Sequence, residues 1–266
     1  QMKYLNIIIV LIIGISCNTS KKESDKQRFL IRGNNALEIE EYSEALRYYN
    51  GGLALDSCYV EALNNIGIVY FETRKYEQAL KYYDAAILCN PEYWDTYLNR
   101  ASTFYETNNL YRSLDDLEFL ERKTPDSVKV HFGLGLVKTK LRRFEDALTS
   151  FTKAQQLDEK NAEIYINRGT VHYYLKDYKT AYKDLQKALQ LDNRQGNAYN
   201  ALALLSISNL EYDSALSHIN RALEMEKNQP YYLNNRGFIY LQMDSIDKAG
   251  KDINSSIILD PSNGWA

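Results

Sequence analysis

The sequence predicts an all-α solenoid of about seven helix-turn-helix repeats, and three observations carry that reading. A 34-residue unit, seen most clearly from Ala162 to Gln195, recurs in register along most of the chain. Small residues return at two fixed places in it. At position 8 they are Gly67, Ala101, Gly135, Gly169, Ala203 and Gly237; at position 20, Ala45, Ala79, Ser113, Ala147, Ala181, Ala215 and Ala249. Helices can approach closely only at such places. The apolar residues between them (Tyr165, Val171, Tyr178, Leu185, Leu189, Leu191) follow helical rather than strand spacing. Each unit therefore reads as two helices and a turn, packing on its neighbours alone.

This period and small-residue pattern resembles the tetratricopeptide repeat. The resemblance covers residues 26–263 as seven repeats: 26–59, 60–93, 94–127, 128–161, 162–195, 196–229 and 230–263. It implies a right-handed superhelix of antiparallel helix pairs that serves as a binding scaffold. The first repeat is degenerate, with Ala36 where a large ring is usual, as expected of a terminal unit. The third replaces two small residues with Ser113 and Leu120. Pro91, Pro125 and Pro261 mark exit turns. Gly264-Trp265-Ala266 reads as the start of a truncated eighth repeat (264–266), so we expect a chain that continues.

The N-terminus reads as an address. Met2-Lys3 precedes a run of about a dozen mostly apolar residues, Tyr4 to Ile15, and then Ser16-Cys17, the layout of a secretory signal. That run is too short to span a bilayer, which takes roughly 20 residues. Ile13-Gly14-Ile15-Ser16-Cys17 resembles a bacterial lipoprotein cleavage box, although Gly14 departs from the usual large aliphatic residue. The resemblance implies that residues 1–17 are a signal, that Cys17 is lipidated, and that the protein is membrane-anchored at the cell envelope, facing the periplasm or on the outer membrane. The alternative is a soluble secreted protein with an incidental Cys17. Residues 18–28, NTSKKESDKQR, are polar and aperiodic, and we expect a flexible tether there.

Nothing in the sequence reads as an enzyme. Hydrolase elbow, phosphate-binding glycine loop and zinc spacing are all missing. His131, His172 and His218 fall at unrelated repeat positions, so neither a metal site nor a cofactor is expected. A net charge of −3 argues against nucleic acid as a partner, and no small-molecule substrate is expected. A disulfide between Cys58 and Cys89 is possible in an oxidising envelope, but a bridge needs Cα atoms within about 7 Å, and two separate small core residues are expected.

The resemblance places positions 2, 5, 6, 9, 12 and 13 of the first helices on the concave face. Position 6 carries Asn65, Asn99, Asn167 and Asn235, a row of amides able to pair with an extended peptide, or simply a common residue at that place. Leu98, Phe132, Leu136 and Ile166 form a candidate apolar patch rimmed by Asn65, Asn99, Asn167 and Asn200. A neighbouring helix covering the patch is the competing reading. A basic clamp for a carboxylate tail is not matched, since position 2 reads Glu61, Asp95, Lys129 and Glu163.

Position 7 carries Arg100, Arg168 and Arg236 in alternate repeats, and position 23 of the same repeats carries Asp116, Asp184 and Asp252. Repeats two, four and six lack both, having Ile66 with Tyr82, Leu134 with Ser150 and Leu202 with His218. Three partly buried bidentate salt bridges are expected, structural rather than ligand-reading. The functional expectation is a non-catalytic protein-interaction scaffold holding an extended peptide or a helix of a protein partner in the groove. The alternative is a fixed assembly subunit that packs through its ends or convex face.

Overall fold

A computed structural model describes residues 21–261; the expected signal with Cys17 and the expected start of an eighth repeat lie outside them. Fourteen helices and no strand occur among the described residues. The chain divides into two compact units, one through Lys123 and one from Thr124. The first holds α1 (21–38), α2 (Tyr42–Leu55), α3 (Val60–Glu72), α4 (Tyr76–Cys89), α5 (Trp94–Glu106) and α6 (Leu110–Lys123). The second holds α7 (Val128–Lys140), α8 (Phe144–Leu157), α9 (Ala162–Tyr174), α10 (Tyr178–Leu191), α11 (Gly196–Ser208), α12 (Tyr212–Met225), α13 (Pro230–Gln242) and α14 (Ile246–Leu259).

The turn inside each repeat has one construction. Glu40, Arg74, Asn108, Arg142, Lys176, Leu210 and Asp244, spaced one repeat apart, all take left-handed backbone with φ between 56° and 62°. In the second repeat the Lys75 N–H donates to the Tyr70 carbonyl and the Arg74 N–H to the Phe71 carbonyl. This pair of bonds closes a helix whose last carbonyls would otherwise lack partners. None of the seven residues is glycine, although left-handed backbone costs other residues roughly 1–2 kcal/mol. Leu210 is the least suited, being bulky and 72% exposed. Leu210→Gly is therefore expected to stabilise the second unit by about 1 kcal/mol after allowing for glycine's freer unfolded chain, and so to raise its urea midpoint. An unchanged or lower midpoint would refute this.

Packing within a repeat pairs position 8 with position 24. Tyr49, Tyr83 and Phe151 are fully buried rings, and each lies over a glycine: Gly33, Gly67 and Gly135. Where position 8 is alanine, in repeats three and six, position 24 is the smaller Leu117 or Ile219. The match is not uniform, since Gly169 and Gly237 of repeats five and seven also face the smaller Leu185 and Ile253.

Two expectations are corrected. Residues 21–28 are helical and open α1, so the tether does not extend over them. Lys26 binds Glu23 at 2.9 Å and Asp56 at 2.8 Å, Arg28 binds Asp25 at 2.9 Å, and the Phe29 ring lies against Gly51. Two charge pairs three apart, together with the Lys26–Asp56 pair at the end of α2, stabilise what composition alone reads as linker. Cys58 and Cys89 are joined in a disulfide with Cα atoms 5.5 Å apart. The bond ties the loop after α2 to the end of α4. Stacking brings position 33 of one repeat beside position 30 of the next, a proximity that a separation of 31 residues does not reveal.

Candidate functional site

The first helices of repeats five, six and seven line one concave pocket of about 480 Å³ in the second unit. From α9 come Glu163, Ile166, Asn167, Thr170, Tyr173 and Tyr174, and from α11 Asn197, Asn200, Ala201 and Leu204; Tyr231 comes from α13. These residues occupy repeat positions 2, 5, 6, 9, 12 and 13. The wall is mainly amide, hydroxyl and aromatic.

The tyrosines are held by ring contacts. Tyr174 stacks on Phe144 with centroids 5.3 Å apart, and Tyr173 meets it edge-on at 5.9 Å. Ser208 donates to the Tyr173 hydroxyl at 3.3 Å. Burial pushes the Tyr174 phenol above its ordinary range, with smaller contributions from Tyr231 and Tyr173. The Tyr174 phenol is thus a neutral hydrogen-bonding group at physiological pH. Sequence reasoning passed over these tyrosines in favour of asparagines, although positions 2, 12 and 13 were the signal that could have found them.

The asparagines are engaged with one another more than with solvent. Asn65 donates to Asn34 at 2.8 Å, Asn99 to Asn64 at 3.0 Å and Asn235 to Asn200 at 2.8 Å. Each bond joins a position-6 amide to the preceding repeat. Asn167 differs, donating to the Glu163 carbonyl at 2.9 Å. Asn200 and Asn235 are buried. Two groups of the pocket lining, the Asn200 NH2 and the Asn167 Oδ1, are not used by the bonds above.

The residues of the expected apolar patch are covered to different degrees in the second unit. Ile166 is buried in the cluster that α9 and α10 form with α11. Phe132 and Leu136 are half-buried against Phe151, with the Phe132 and Phe151 rings 5.7 Å apart, edge to face. The next repeat's first helix covers position 5, and the repeat's own second helix covers the ring. Leu98 lies in the first unit and is half-buried.

The arginines form the wall's support. Arg100 donates Nε and Nη2 to Asp116 at 2.9 and 2.7 Å, Arg168 to Asp184 at 2.8 and 2.7 Å, and Arg236 to Asp252 at 2.6 and 2.9 Å. The third nitrogen of each arginine reaches the preceding repeat, at Asp84 (2.6 Å), Gln155 (3.4 Å) and Asn220 (3.0 Å). Each guanidinium therefore joins three helices, an arm that the intra-repeat alternation did not reveal. Burial raises the Asp116 carboxyl above its usual range, opposed by Arg100. The histidines are engaged locally: His131 with the Pro125 carbonyl, His172 with Asp177 and His218 with Ser206. Among the described residues no group of three or more His, Cys, Asp or Glu could hold a metal ion.

A tetratricopeptide-repeat family model matches residues 60–93 and 162–194, and a second tetratricopeptide-repeat model matches residues 98–162. No curated protein matches the chain. Among solved structures, it is similar to a tetratricopeptide repeat protein from Parabacteroides merdae ATCC 43184, with a TM-score of 0.78 and 16% identity over 90% of this chain and 95% of that one. It is similar to pilF of Pseudomonas aeruginosa, with a TM-score of 0.69 and 15% identity over 80% of this chain and 96% of that one. A third likeness, to the APC/C hetero-tetramer Cut9-Hcn1, has a TM-score of 0.70 and 20% identity over 88% of this chain and 45% of that one. At such identities the likeness shows the fold alone. The chain is built of tetratricopeptide repeats, an all-α fold that serves protein–protein interaction.

Proposed function

We propose that the chain is a non-catalytic scaffold of the bacterial cell envelope that holds an extended peptide or a helix of another protein in the groove of α9, α11 and α13. The pocket itself carries this reading, because three successive first helices contribute amides and half-exposed rings to one concavity. Extended backbone needs alternating donors and acceptors, and rings supply contact area at low entropic cost. The location follows from the signal-like residues 1–17 with a lipidated Cys17. The Cys58–Cys89 disulfide supports it, since such bonds persist in oxidising compartments.

In-cell photo-crosslinking tests the groove. A benzophenone amino acid at Asn197, exposed on the pocket wall, is expected to give a discrete adduct, whereas one at Lys187, exposed on α10, is not. The reverse pattern would favour the assembly-subunit reading. For the anchor, Cys17→Ser is expected to move the protein from the membrane to the soluble fraction; retention on the membrane would remove lipidation from the reading.

A further inference from the structure

The groove carries one unbalanced charge. Of its lining side chains only Glu163 is ionic, it is exposed, and no ion pair holds its carboxylate among the described residues. The arginines of the same helices are withdrawn from the wall. Arg168 of α9 is committed to Asp184 and Arg236 of α13 to Asp252, each through two bonds of 2.6–2.9 Å. No lysine or arginine lines the pocket; Arg142, whose charge reaches the Tyr174 phenol, lies over the Phe144 ring outside the lining. Tyr174 and Tyr231, 50% and 40% exposed, add ring faces whose quadrupole is also negative.

Resting on the peptide-binding reading above, we propose that this groove selects an extended segment bearing a lysine or arginine side chain, drawn by the Tyr174 and Tyr231 rings and the Glu163 carboxylate. The backbone of that segment has the Asn200 NH2 and the Asn167 Oδ1 to pair with, while its cation meets the tyrosine faces, where such contacts strengthen as water is displaced. An acidic segment is disfavoured by like charge at Glu163.

A random dodecapeptide library displayed on phage, panned on the whole chain and counter-selected on the Tyr174→Ala/Tyr231→Ala variant, tests this. The expected sequences carry Lys or Arg at one alignable position. A synthetic peptide from that set should lose about tenfold in affinity when the cation is replaced by norleucine. On Glu163→Gln protein that ratio should shrink while the norleucine peptide binds as before. Should the double tyrosine variant lose its helical circular dichroism, Glu163→Gln serves as the counter-selection. Enriched peptides without a cation, or a neutral norleucine exchange, would overturn the charge preference and leave the groove as a peptide site. No enrichment over the variant would overturn both.

Discussion

Arg100→Leu is expected to destabilise the first unit by about 3 kcal/mol at neutral pH, well beyond the loss of a surface ion pair. The Arg100 side chain is 19% exposed and that of Asp116 is 9% exposed, so removing the guanidinium leaves a carboxylate with little access to water. The contact with Asp84 contributes little to this figure, because Asp84 is 62% exposed. The sign of the pH dependence follows from Asp116, whose carboxyl burial already raises. A folded-state value above the unfolded one means that the folded state binds the proton more tightly. Stability from that group is present below the unfolded value and is lost as pH rises through the folded one. Without Arg100 the upward push is unopposed, so the deficit should be largest at neutral pH and shrink toward about pH 4. Arg100→Leu with Asp116→Ser copies Leu134 and Ser150 of the fourth repeat, and the pair together should recover most of the loss. Urea unfolding of the three variants at two pH values decides it. A double variant no better than Arg100→Leu would sink the account, since the harm would then not lie in the stranded charge.

Gly67→Ala is expected to cost about 2 kcal/mol, although alanine is the better helix former by roughly 1 kcal/mol. A Cβ there would stand within 3.0 Å of Cδ1, Cε1 and Cζ of Tyr83, a ring only 1% exposed. A buried ring has no free space to retreat into, so overpacking outweighs helix propensity. Gly250→Ala provides the contrast: nothing lies within 4 Å of the new methyl, and a gain of about 0.5–1 kcal/mol is expected. Adding Tyr83→Leu to Gly67→Ala reproduces the Ala101 and Leu117 pairing of the third repeat. The two changes together should be less harmful than their sum by more than 1 kcal/mol. Repeat arrays need not unfold in one step, so hydrogen exchange in α3 and α4 should accompany the urea curves. A neutral or stabilising Gly67→Ala would show that the ring moves aside.

Much of this was legible in advance, for a stated physical reason. A 34-residue period repeats the same local problem seven times, so the alternation of Arg100, Arg168 and Arg236 with Asp116, Asp184 and Asp252 could be read as pairing without coordinates. The size match of Gly67 with Tyr83, and of Ala101 with Leu117, was present in the same rows. Residues 21–28 were harder, because ion pairs with Glu23 and Asp56 give helical order to a composition otherwise typical of linkers.

By itself the sequence determined the repeat register, the helix pairs and the contacts inside each repeat, because those depend on helical period and side-chain size within one 34-residue unit. The tertiary structure decided what lies between repeats. It joined Cys58 to Cys89, turned the asparagine row into amide pairs such as Asn235 with Asn200, buried Ile166, and gathered Tyr173, Tyr174 and Tyr231 around one pocket. Those meetings depend on the rotation of each repeat against the next, which packing sets and which no single unit encodes.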